Sequence, residues 1–182
     1  MTRTFNVDGT WALFLDRDGT INKRLHGRYV TDWDQFEFLK GAVEGISDLN
    51  PIFGTIALVT NQQGIGKGLM THDRLHDIHE QMMERIAANG GRIDEIYYCP
   101  HLAEEDPMCR KPNPGMALQA ATDFPDIIFT KSMMVGDTAS DMEFGRRLGM
   151  VTVLILDGSN SSVMADLKIS NLSELSLYLN VD

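Results

Sequence analysis

Trp11-Ala12-Leu13-Phe14-Leu15-Asp16-Arg17-Asp18-Gly19-Thr20 decides the fold. Its first five residues are continuously apolar, as a parallel strand buried on both faces must be. Two carboxylates, Asp16 and Asp18, follow at the carboxyl end, where open α/β sheets place their ligands. They are two residues apart, so in extended chain they point to the same side. Gly19 lets the backbone turn sharply and approach a bound anion. D-x-D-G alone is a weak signal, because many turns and metal loops contain it.

The rest of the chain supplies partners in order. Ile56-Ala57-Leu58-Val59 is a second apolar run and ends in Thr60-Asn61-Gln62. Ser132-Met133-Met134-Val135 is a third and ends in Gly136-Asp137-Thr138-Ala139-Ser140-Asp141. Between them lies Arg110-Lys111-Pro112-Asn113-Pro114-Gly115. Three strand-like runs thus deliver Asp, Thr and Asp at the same end, and a lysine arrives from a separate loop.

Apolar runs alternate with helix-like segments, the pattern of a parallel sheet with helical crossovers. Strands are predicted over 12–15, 56–59, 93–98, 132–135 and 151–155. Helices are predicted over 41–49, 71–89, 115–123, 139–148 and 172–179. Thr71 caps the second helix, which stops near Asn89-Gly90-Gly91. The polar, mixed residues 20–35 read as a small flap over the site. No repeat, low-complexity tract or linker interrupts the chain, so residues 1–182 read as one domain. The fold class expected is α/β, a Rossmann-like three-layer sandwich with a central parallel sheet and a minimal cap or none.

The chain has 182 residues, 43% of them hydrophobic and 23% charged, enough for a sizeable core. No apolar stretch reaches membrane-spanning length, and no basic-then-apolar leader opens the chain. A cytoplasmic protein is expected, with its two cysteines reduced. The net charge of −10 argues against non-specific nucleic-acid binding. It does not argue against a phosphate substrate, because charges beyond about 8 Å are largely screened at physiological salt. Arg17, Arg110, Lys111 and a divalent cation can make the site locally attractive.

The four segments in order resemble the haloacid dehalogenase superfamily of phosphatases. Asp16-Arg17-Asp18-Gly19-Thr20 matches its first motif, Thr60 its second, Lys111 its third, and Gly136-Asp137…Asp141 its fourth. Within that superfamily, Phe14 to Asn22, Phe36-Glu37-Phe38-Leu39, Val59 to Ile65, Ile96 to His101 and Cys109 to Met116 resemble the heptose-bisphosphate phosphatases. Histidinol-phosphate phosphatases share much of this framework. The resemblance implies hydrolysis of a phosphate monoester on a small metabolite, a sugar bisphosphate losing its 7-phosphate. It also implies Mg²⁺ as cofactor; a monomer is expected, although no motif sets the oligomeric state.

The residue types suit that chemistry. A carboxylate attacking phosphorus gives an aspartyl-phosphate and splits one hard step into two, which is the role of Asp16. Asp18 protonates the leaving alkoxide and then activates water. An all-oxygen ligand set completed by phosphate and water suits Mg²⁺. The resemblance assigns the metal to the Asp16 side chain, the Asp18 carbonyl and the Asp137 side chain, with Asp141 supporting from behind. Thr60 and Lys111 hold and neutralise the transferring phosphate. Substrate contacts are also assigned to Asn61, Gln62 and Arg110. His26-Gly27-Arg28-Tyr29-Val30 resembles the family's flap.

Four features depart from, or add to, this pattern. Relatives carry C-x-H…C-x-C, four ligands for a structural zinc. Here Cys99, His101 and Cys109 remain, Pro107 stands at the third position, and the loop is short. Either zinc takes a fourth ligand from Glu104, Glu105, Asp106 or water, or the loop orders without metal. Heptose phosphatases often have lysine after the motif-four aspartate, and this chain has Thr138. His72, His76 and His79 share one face of the second helix and read as a solvated or partly packed face. Gly64 to Gly68 lacks P-loop spacing and reads as a turn. Two rival functions stand beside the heptose reading: a histidinol-phosphate phosphatase, and a retired domain that binds metabolites or partners without turnover.

Overall fold

The computed structural model describes residues 4–181. Six parallel strands form the central sheet in the order β4-β3-β2-β5-β6-β7. They are β2 (Ala12–Leu15), β3 (Thr55–Asn61), β4 (Glu95–Cys99), β5 (Ser132–Gly136), β6 (Val151–Ile155) and β7 (Leu167–Ile169). A separate parallel pair joins β1 (Phe5–Val7) to β8 (Leu179–Val181).

Side chains alternate across the sheet and divide the core in two. Leu13, Leu15, Ile56, Leu58, Met133 and Val135 face one side. There they pack against Ile46 and Leu49 of α1 (Ala42–Leu49) and Leu75, Ile78 and Met82 of α2 (His72–Ala88). Phe14, Ala57, Val59 and Met134 face the other side. There they meet Met116, Ala117 and Ala120 of α3 (Gly115–Asp123) and Phe144 of α4 (Ala139–Arg147). The result is the three-layer α/β sandwich expected.

Strand order explains where a ligand goes. From β2 the chain winds outward through β3 and β4, then returns to place β5 on the opposite side of β2. The crevice between β2 and β5 is therefore a topological switch point. Register matches Leu15 with Val135, and the Asp16 N–H donates to the Val135 carbonyl at 2.9 Å. The pairing that closes the core thus sets Asp16 and Asp137 side by side above it.

The sequence reading differs from the structure in places. The fourth strand begins at Glu95 and runs through Cys99. Residues 172–178 form a 3₁₀ helix, not an α-helix. Its buried leucines, Leu172 and Leu175, are three apart, a spacing that serves a 3₁₀ turn equally well. Its backbone lies so close to α1 that a Cβ on Gly45 would sit 2.7 Å from the Leu172 carbonyl carbon. The flap is also more than a cover, since Ile21 and Val30 are buried in the core.

Candidate active site

Gly19 permits the first loop. Its φ is +90°, in the region that favours glycine, and a Cβ there would lie 2.0 Å from Asp137 Oδ2. The chain can therefore turn away from Asp18 while the β5 loop closes over it. From this turn Asp16, 5% exposed, projects between Lys111 and Asp137.

Lys111 is the buried centre of charge. Its Nζ donates to Asp16 Oδ1, Asp141 Oδ1 and the Val59 carbonyl, each at 2.7 Å. Asn61 fixes its backbone: Asn61 Oδ1 accepts from Lys111 N at 3.0 Å, and Asn61 Nδ2 donates to Lys111 O at 3.2 Å. Burial alone would lower the lysine's pKa, but Asp141 and Asp16 outweigh it and hold it raised. Asp141, buried likewise, is held below the carboxylate range by Lys111 and Thr138. Thr138 caps α4, accepting from Asp141 N and donating its hydroxyl to Asp141 Oδ2 at 2.6 Å. That is the local work done by the residue after the motif-four aspartate, Asp137.

Asp16 and Asp18 are pushed in opposite directions. Burial raises Asp16 to about 7, opposed by Lys111 and aided by Asp141 and Asp137. Asp18 is half-buried, which would raise it too, yet Arg17, Asn22 and Gln62 hold it lowered. Its Oδ1 accepts from Arg17 Nη2 at 3.1 Å and Asn22 Nδ2 at 3.0 Å, and its Oδ2 from Gln62 Nε2 at 2.9 Å. Gln62 Nε2 also donates to Thr60 Oγ1 at 2.8 Å, which leaves the buried Thr60 hydroxyl proton available to a ligand.

Arg17 does not face the ligand space. It is wholly buried behind Asp18, with Nη1 3.2 Å from His79 Nε2 and the guanidinium 6.0 Å from the Phe36 ring centroid. Burial and the Arg17 charge push His79 down to about 3, so its imidazole is neutral and accepts from Arg17. The histidine face is therefore mixed: His79 is buried, while His72 and His76 are exposed.

A stability prediction follows from His79. The unfolded imidazole takes a proton near pH 6.5, whereas the folded one resists until about pH 3. Below pH 6.5 the unfolded state binds more protons, so stability falls as pH drops, by up to about 1.4 kcal/mol per pH unit. His79→Gln should show a shallower fall in melting temperature from pH 7.5 to 5 than the parent. Equal slopes would contradict this origin.

Above these groups lies a cavity of about 660 Å³, lined by Asp16, Asp18, Arg28, Lys67, Arg110 and Lys111 among others. Arg110 Nη1 is buried and has no hydrogen-bond partner among the described residues. Sequence reasoning placed Arg17 here and missed Arg24 and Lys67. Lys67 sits 5.3 Å from the Tyr29 ring centroid of the flap, a contact that no local pattern announces. Asn61 and Gln62, expected as substrate contacts, line the cavity but direct their carboxamides to Lys111, Asp18 and Thr60.

The residues fit a divalent cation. Carboxylate oxygens of Asp16, Asp137 and Asp141 lie within 4.8 Å of one another, a hard all-oxygen set of the kind Mg²⁺ takes. Both Asp141 oxygens are already engaged by Lys111 and Thr138. Burial raises Asp137, opposed by Arg24 and aided by Asp141.

The cysteine loop differs from expectation. Cys99 and Cys109 are not reduced but joined in a disulfide, their Cα atoms 5.2 Å apart. Sulfurs bonded to each other are not thiolates, and thiolates are what zinc takes. His101 is exposed and pairs with Glu105 at 3.4 Å. Cys99, His101 and Cys109 thus form no metal cluster among the described residues. The cause is placement: Cys99 ends β4 and Cys109 precedes the Lys111 clamp, while His101 leaves with the loop.

Comparison with known proteins agrees with this geometry. A family model described as HAD-hydrolase-like matches residues 108–172. A D-glycero-alpha-D-manno-heptose-1,7-bisphosphate 7-phosphatase from Mycobacterium bovis is 37% identical over 171 residues, 92% of this chain and 90% of that protein. A D-glycero-beta-D-manno-heptose-1,7-bisphosphate 7-phosphatase from Pasteurella multocida is 42% identical over 154 residues, 81% and 82% of the two chains. Among solved structures, D,D-heptose 1,7-bisphosphate phosphatase from B. bronchiseptica, complexed with magnesium and phosphate, superposes with a TM-score of 0.83. It is 28% identical and covers 92% of this chain and 96% of its own.

Proposed function

The chain belongs to the haloacid dehalogenase-like phosphatases, and from that membership we infer that it hydrolyses the 7-phosphate of a D-glycero-D-manno-heptose 1,7-bisphosphate. The observation that carries the substrate class is the cavity wall. Beyond Lys111 it presents Arg28, Lys67 and Arg110, the last with a buried N–H group lacking a partner among the described residues. A second phosphate satisfies such a wall. A substrate with a cationic end, such as histidinol phosphate, meets repulsion there.

The residues divide the reaction between them. Asp16 attacks phosphorus and takes the phosphoryl group as an aspartyl-phosphate, releasing the sugar alkoxide. Asp18 hands that alkoxide a proton, then removes one from the water that attacks the phosphoaspartate. Arg17, Asn22 and Gln62 oppose the raised pKa that burial would give Asp18, so it is ionised at rest and must take a proton from water or a phosphate monoanion before it can hand one to the alkoxide. Thr60 donates to a phosphate oxygen. Lys111 neutralises charge as the phosphoryl group moves, and Asp141 keeps the lysine charged and aimed. Mg²⁺, held by Asp16, the Asp18 carbonyl and Asp137, supplies the positive charge that lets a phosphate dianion approach two carboxylates.

The test is a substrate panel at saturating Mg²⁺: both anomers of the heptose bisphosphate, histidinol phosphate and a small aryl phosphate. One heptose anomer should exceed histidinol phosphate in kcat/KM by at least about 100-fold. No advantage would refute the heptose assignment, and no turnover of anything would favour the retired-domain reading. Arg110→Ala should raise KM for the bisphosphate by about 10-fold or more, the scale of a hydrogen bond to a charged group. KM for the aryl phosphate should change little. An equal effect on both would place Arg110 at the reacting phosphate.

A further inference from the structure

Arg24 has no part in the reaction just described, yet the site is built around it. Its Nη2 donates to the Asp18 main-chain carbonyl at 2.8 Å and to Asp137 Oδ1 at 2.7 Å. Its Nε donates to Asp137 Oδ2 at 2.9 Å, and Nη2 lies 3.7 Å from Asp16 Oδ2. These three residues are the ligands assigned to magnesium above, and the inference rests on that assignment. One guanidinium meets all of them.

A small divalent ion needs near-octahedral oxygen ligands at close range. It cannot share the same oxygen lone pairs with a guanidinium fork, and the two positive charges repel. We propose that Arg24 is a tethered placeholder for the divalent cation, holding Asp16, Asp18 and Asp137 together in its absence and leaving when it binds.

Physical needs on both sides of the exchange support this. The Asp16, Asp137 and Asp141 carboxylates are all buried and packed within 4.8 Å, so they repel one another. A cation on the flap removes that penalty without a bound ion. Leaving is feasible because the Arg24 side chain is 36% exposed, and the partners of its guanidinium are the same oxygens the cation would take. It also lines two cavities, of about 660 Å³ and about 370 Å³, which offer space for the displaced guanidinium.

Metal-stripped full-length protein, titrated with MgCl₂ by calorimetry, tests this without reference to turnover. Arg24→Gln and Arg24→Leu should each bind Mg²⁺ at least about 5-fold more tightly than the parent, the low end of coupling between linked ligands. In EDTA both variants should melt below the parent, and the gap should close at saturating Mg²⁺. Unchanged or weaker Mg²⁺ affinity in both variants overturns the inference. So does a melting gap of equal size with and without Mg²⁺, which is what a merely structural arginine gives. Asp137→Asn separates the underlying reading: it should lose Mg²⁺ in either background. If it binds as tightly as the parent, the ligand assignment fails and the placeholder fails with it.

Discussion

Asp16→Asn is expected to lower kcat by about 10⁴-fold or more on any phosphate monoester, the scale of losing a nucleophile. The carboxamide has nearly the shape of the carboxylate, but its oxygen does not attack phosphorus and its nitrogen carries no usable lone pair. The fold should persist. Lys111 keeps Asp141 and the Val59 carbonyl when Asp16 loses its charge. Burial already pushes Asp16 up to about 7, so neutralising it removes little that stabilises the metal-free protein near neutral pH. The check is kcat on an aryl phosphate beside a melting curve in EDTA. Activity within 100-fold of the parent, on a folded variant, would rule out Asp16 as nucleophile.

Lys111→Met should have the largest effect on stability. The lysine is 3% exposed and serves three acceptors at once. Removing it leaves Asp141 buried with a charge and no cation, a change that costs about 3–5 kcal/mol. For a chain of this size that corresponds to a fall of roughly 10 °C in melting temperature. Adding Asp141→Asn should restore part of the loss, since the orphaned charge is then gone. Lys111→Arg should not rescue it, because a planar fork cannot occupy a space shaped for one compact ammonium. A loss under about 1 kcal/mol would mean that water or rearrangement satisfies Asp141.

What the sequence made legible follows from burial. Strands β2, β3, β5 and β6 are covered on both faces, so each writes itself as an unbroken apolar run. The three strands missed, β1, β7 and β8, are three residues long with Asn6, Lys168 or Asn180 at the centre. Such segments carry no periodicity to read. The carboxylates, Thr60 and Lys111 were legible because each follows a strand end or a distinctive turn. Arg24 and Lys67 were not, because a flap and a turn acquire their place only when packed on the sheet. Asn61 and Gln62 were read as ligand contacts since they follow Thr60. Thr60 is a local partner of Gln62, but Lys111 and Asp18 lie far off in sequence, and only the fold brings them near. The cysteines were read through a metal pattern, while the fold brings the two sulfurs to bonding distance.

The central claim is that phosphate passes through Asp16, and Asp18→Asn tests it most directly. An aryl phosphate has a leaving group that needs no proton, so the first step survives without Asp18. The second step does not, because the attacking water loses its base. The variant should release one equivalent of phenolate per chain in a burst and then stall. Borohydride added at that point reduces an acyl phosphate to an alcohol, so peptide mass spectrometry should find homoserine in place of Asp16. A burst with reduction at any other residue, or steady release without a burst and with Asp16 unmodified, would contradict the account.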